Sequence, residues 1–150
     1  VTSTDPLLRP TLQQQPRSSG RPWRLISQGY VAFFGGTLAG TAVAVVNATR
    51  LGLPRRRVLA VASVGAAALA ATLALLTVGS GILAGALTVE RILAMAAYLW
   101  QVRLQREPDR VFVLRGGEYA PLLGVGVAAV AGLGLLEGVL VHGALAAVSR

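Results

Sequence analysis

Residues 58–102 read VLAVASVGAAALAATLALLTVGSGILAGALTVERILAMAAYLWQV. No charge interrupts the run from Val58 to Val89. That run is too long for one comfortable membrane span of about 20 residues and too short for two. Glu90 and Arg91 follow, and a second apolar stretch then reaches Val102. Gly79-Ser80-Gly81 supplies a tight turn between the halves. The stretch therefore divides into two helices, 58–78 and 82–101. Upstream, Leu25 to Thr49 carries no charge and gives a span at 29–48. Downstream, Ala120 to Val148 holds one acid, Glu137, and one imidazole, His142, and gives a span at 121–147 that crosses with some tilt. The expected fold is all-α, an integral membrane bundle of four transmembrane helices over residues 27–150. A Pro/Gln/Arg-containing tail at 1–26, with no periodic apolar face, is expected to be disordered.

Composition supports this class. Of the 150 residues, 54% are hydrophobic and only 13% charged, whereas a soluble domain carries about a quarter charged residues. Too little charge remains to cover a globule. The formal charge of +8 comes from 14 basic residues, all arginine, clustered beside the apolar runs as topogenic charge is. A nucleic-acid surface would need a basic face with interleaved aromatics, so nucleic acid is not an expected partner; the lipid bilayer is. The chain has no cysteine, which excludes disulfides, thiolate nucleophiles and Cys-ligated metals. With one His, a histidine metal site is not expected. Nor is there a GxSxG, HExxH or GxxxxGK[ST] pattern. No cofactor and no enzymatic activity are expected.

A competing arrangement has three spans plus one interfacial helix at 88–106. Thr88, Arg91, Ala94, Tyr98, Gln101 and Gln105 recur at steps of three or four, a polar stripe that faces water on a surface helix and the bundle in a span. Burying Glu90 and Arg91 costs about 2.5–3.5 kcal/mol each at mid-membrane, which the apolar neighbours and a partner charge offset; four spans are the favoured reading. In that arrangement five arginines (Arg9, Arg17, Arg21, Arg24, Arg150) share one side with both termini. The other eight, Arg91 apart, favour the cytoplasm by the positive-inside rule. A cleaved signal peptide, with Ala42-Val43-Ala44 as its site, would need an unusually long n-region. Val1 is readable as an alternative start codon in a bacterial gene.

Two sets of residues are candidate functional features. Ala32, Gly36, Gly40 and Ala44, continued by Ala48, form a small-residue ladder containing a GxxxG, a face for close helix packing within the chain or between copies. A second ladder runs through Ala62, Ala66, Ala70 and Ala74, and the glycine spacing recurs at Gly81–Gly85 and Gly134–Gly138. Glu90, Arg91, Glu137 and His142 form a candidate intramembrane polar network, because ionisable groups at that depth face a partner or a wet cavity. Arg91 and Glu137 are expected to pair between the third and fourth spans. Trp23 and Tyr30 are placed as interfacial anchors and Asn47 as an interhelical hydrogen-bonding residue.

Phe34-Gly35-Gly36, Leu38-Ala39-Gly40, Asn47 and Arg50-Leu51-Gly52, with Tyr98, Gln101 and Gln105 before Gly116-Gly117, resemble a loose group of small, uncharacterised bacterial multi-span membrane proteins. The resemblance covers about a third of the chain; it implies a multi-pass bacterial inner-membrane setting and no activity. The expected role is that of an accessory or scaffold protein acting through helix–helix association, in a homo-oligomer or a larger membrane complex. The alternative is an oligomeric small transporter or channel component using Glu90, Arg91 and Glu137.

Overall fold

The computed structural model describes residues 20–78 and 83–148. The expected tail at 1–19 and the expected turn at Gly79-Ser80-Gly81 lie outside them. All regular structure among the described residues is helical: α1 (Leu25–Arg50), α2 (Arg55–Val78), α3 (Leu83–Leu114), α4 (Leu123–Ala129), a π-helical turn (Val130–Gly134) and α5 (Leu135–Val148). The last three make one nearly continuous rod. By length and composition, Leu25–Arg50, Arg55–Leu75 and Leu123–Ala144 can each cross a membrane; α3 is not among these candidates.

The stretch expected as a single span at 29–48 is helical but folded in two. Gly36 has φ 77° and ψ −165°, a region essentially open to glycine alone. Residues 25–35 (α1a) run up to it and residues 37–50 (α1b) run back. The distances leave no alternative. The backbone nitrogen of Trp23 donates to Oδ1 of Asn47 at 2.7 Å, although a straight helix would hold residues 24 apart at about 36 Å. Likewise a Cβ on Gly40 would lie 3.0 Å from Cα of Ala32, where a straight helix gives about 12 Å. Both ends of α1 therefore lie at one end of the molecule, and Gly36 marks the tip.

At that end two helices stop on the same device. Gly52 (φ 72°) and Gly116 (φ 74°) follow the last residues of α1 and α3. The next amides reach back, Leu53 to the Ala48 carbonyl and Gly117 to the Phe112 carbonyl, which is the Schellman arrangement. Pro54 then opens α2. Residues 20–26, expected within the tail, are folded: Trp23 is buried in a cluster with Val31, Val43 and Leu122, and the Ala120 amide donates to the Pro22 carbonyl. Trp23 is thus a core residue, with Arg50 stacked 3.9 Å over its ring, while Tyr30 is exposed.

The α1 hairpin is the hub, since every other helical element packs on it, whereas α2 and α5 meet each other higher up. Packing of α2 uses Val61, Gly65 and Thr72; Ala66 and Ala70 of the expected second ladder face outward. α2 leaves the basic end and α3 returns to it, as Arg57 against Glu107 (3.8 Å) and the Gln101 bond to the Val61 carbonyl show. The connector expected at 103–118 is helical as far as Leu114, with Pro108 inside the helix. Buried Gln105 and the Phe112–Tyr119 ring contact hold this extension in place.

Candidate functional site

A helix that stops inside a bundle leaves amides unbonded at one end and carbonyls at the other. The Gly36 turn creates both kinds, and two charged side chains meet them. Glu137, at the start of α5 and 1% exposed, accepts from the Thr37 amide at 3.0 Å and the Leu38 amide at 2.7 Å. Arg91 of α3 donates to the Phe33 carbonyl at 2.6 Å. The signs fit: the carboxylate faces the positive N-terminal end of α1b and the guanidinium faces the negative C-terminal end of α1a. Close approach is built in by glycine. A Cβ on Gly36 would stand 2.6 Å from Oε2 of Glu137, and one on Gly134 would stand 3.2 Å from the Gly35 backbone. The π turn lies beside this contact and Glu137 follows it.

Arg91 and Glu137 were expected to form an ion pair with each other. Instead they grip opposite ends of the same break; ion pairs among the described residues include Arg21–Glu118 and Arg57–Glu107. Glu90 is buried, with Glu137, Arg91 and His142 as its electrostatic neighbours. A ring nitrogen of His142 lies 2.8 Å from the Gly138 carbonyl one turn back. The small-residue ladder is consumed within the chain: Ala32 and Gly40 pack against each other across the hairpin, Gly36 is the turn, and Ala44 joins a cluster with Ala48, Leu53 and Val61. Gly138 faces open space, and Gly81 lies outside the described residues.

From the tip to the basic end a line of polar side chains runs through the interior beside the apolar clusters. The α3 stripe turns inward from Ala94 onward, with Gln101 and Gln105 buried, while Thr88 is exposed. Gln101 donates to Oγ1 of Thr41 (3.1 Å) and to the Val61 carbonyl (3.2 Å); Asn47 donates to Oε1 of Gln105 (3.1 Å). Tyr98 donates to the Leu25 carbonyl. One stripe thus binds α1a, α1b and α2 together. Gln28, 1% exposed, has neither polar atom partnered among the described residues, and the same holds for Oγ1 of Thr37 and Nε2 of Gln105.

At the basic end, Arg21 pairs with Glu118 at 2.9 Å and also donates to the Glu118 and Tyr119 carbonyls. The Tyr119 hydroxyl donates to Oδ1 of Asp109 at 2.9 Å. Burial raises the Asp109 carboxyl above its ordinary range, opposed by that hydrogen bond. Burial first, and then the bond to Asp109 and its charge, push the Tyr119 hydroxyl up to about 12. No group of three or more His, Asp or Glu side chains able to hold a metal occurs among the described residues.

Sequence reasoning found Glu137 and Arg91 but missed their partners, which are backbone groups of α1. The available signal was Gly35-Gly36 midway along an uncharged run. Comparison with family models, with curated proteins and with solved structures gives no match.

Proposed function

We propose that this chain is a small multi-pass membrane protein in which α2, α3 and the α4–α5 rod cross the bilayer while α1 enters and leaves through one face. On this reading it serves as an accessory or scaffold subunit that acts by association. One observation carries the membrane reading: the bulkiest fully buried side chains are polar and many large apolar ones are exposed. The largest fully buried side chains are Gln28, Gln101, Gln105 and Glu137, while Tyr30, Phe34, Ile92, Leu123 and Leu135 are exposed. Water would reverse that distribution; lipid tails favour it, because no buried polar group then meets hydrocarbon. It also supports reading α3 as a span despite its charges, since Glu90, Gln101 and Gln105 turn inward and Ile92, Leu99 and Trp100 outward.

The hairpin changes the orientation argument. Among the described residues every arginine except Arg91 falls at the end where α1 begins and ends: Arg21 and Arg24, Arg50, Arg55 to Arg57, and Arg103 to Arg115. The positive-inside rule then puts this end in the cytoplasm and the end of α5 on the opposite side, in place of both termini outside. The bacterial inner membrane implied by the resemblance belongs to the same proposal.

Association is favoured over transport because Arg91 and Glu137 are engaged in closing the hairpin. A second reading has one observation behind it. The unpartnered polar atoms of Gln28, Thr37 and Gln105 run along the polar axis, as groups lining a path for protons or small solutes would. Purification in mild detergent should recover the chain with a stoichiometric membrane partner, and liposomes containing it should show no proton flux above protein-free vesicles. A flux abolished by Glu90→Gln would replace this reading with the second.

A further inference from the structure

Two cavities meet at the flank of the hairpin on its basic side. One, of about 690 Å³, is an apolar groove between α1a and the α4–π segment, lined by Tyr30, Val31, Phe34, Gly126, Val127 and Val130. The other, of about 710 Å³, is polar and holds Arg21, Arg24, Glu118 and Tyr119. Ser27, Pro121 and Leu122 line both, so the two adjoin.

We propose that this composite cavity binds one anionic phospholipid of the cytoplasmic leaflet, its headgroup at Arg24 and an acyl chain along the groove; the proposal rests on the membrane reading above. Length fits first. From Leu122 to Ala131 the groove rises nine residues, about 13 Å, and one leaflet contributes about 15 Å of hydrocarbon, half of a 30 Å core. Both cavities fall in the range of about 300–1,000 Å³ that small-molecule sites occupy. Charge fits next. Arg21 is neutralised by Glu118 at 2.9 Å, whereas the guanidinium of Arg24 lies over the Tyr119 ring at 5.6 Å. A ring contact uses no N–H donor, so those donors remain for a phosphate. One uncompensated cation at headgroup height selects an anionic lipid over a zwitterionic one. Gly126 lets α4 close against α1a along one edge of the groove, since a Cβ there would lie 3.1 Å from Val31.

The protein, purified in mild detergent, is to be mixed with phosphatidylglycerol or phosphatidylcholine and examined by native mass spectrometry. Expected are a single retained phosphatidylglycerol adduct and about a tenfold preference over phosphatidylcholine. Arg24→Gln should remove the preference, and Val127→Trp should remove retention of both lipids, with Ala131→Phe as a second groove-filling variant should Val127→Trp lose its monodisperse elution. Arg103→Gln, at the same end on α3, should change nothing. Equal loss in Arg103→Gln, no preference in the wild type, or a Val127-dependent dimer in place of a lipid adduct overturns the site. A chain that is monomeric without detergent overturns the membrane reading instead.

Discussion

Gly36→Val is expected to eliminate the folded protein, leaving no monodisperse peak on size exclusion in mild detergent. Two costs act together. At φ 77° and ψ −165° a residue with a Cβ is strained by about 1–3 kcal/mol. The side chain would also arrive where Glu137 sits, 2.6 Å from Oε2. The carboxylate must then move, leaving a buried charge without its partners, which costs about 3–5 kcal/mol. The sum is comparable to the 5–15 kcal/mol of net stability typical of a folded domain. The second term is the larger, so Gly36→Ala, which brings the same Cβ, should be nearly as damaging. A Gly36→Val protein that elutes and melts like the wild type would show that α1 does not turn at this residue.

Removing the carboxylate tests the same contact from the other side. Glu137→Ala leaves the buried Thr37 amide and the half-buried Leu38 amide without acceptors, at about 1–3 kcal/mol for the first and less for the second. Glu137→Gln retains one acceptor oxygen but points amide hydrogens at the second donor. Thermal midpoints should fall in the order wild type, Glu137→Gln, Glu137→Ala. Arg91→Gln should cost less than Glu137→Ala, because the glutamine can still donate to the Phe33 carbonyl. An Arg91→Gln protein less stable than Glu137→Ala would mean that the carboxylate is not the principal clasp.

Much of the helical content was legible from composition and charge spacing. The uncharged runs marked α1, α2 and the α4–α5 rod within a few residues. What escaped was the path of α1. A run of 25 uncharged residues satisfies any length criterion for a span whether it crosses or doubles back, because hydropathy measures solvent preference and not direction. The ladder Ala32, Gly36, Gly40 has the spacing of a helix–helix contact, and it makes one, but between two halves of one helix joined at its middle glycine. Glu137 and Arg91 stood out as costly charges; with a straight α1 there were no free backbone ends for them to meet, so they were matched to each other. The extension of α3 past Val102 escaped for a different reason. Its charges and Pro108 read as a connector, yet Gln105 packs under Asn47 and carries the helix onward.

The central claim is that both ends of α1 lie on one face of the membrane. The chain has no native cysteine, so single cysteines at Arg24, Pro54 and Ala147, each exposed, can be labelled with a membrane-impermeant maleimide in intact cells and again after lysis. The account predicts that Arg24→Cys and Pro54→Cys are protected until lysis and that Ala147→Cys reacts from outside. Labelling of Arg24→Cys and Pro54→Cys from opposite faces would contradict it, because α1 would then cross the bilayer.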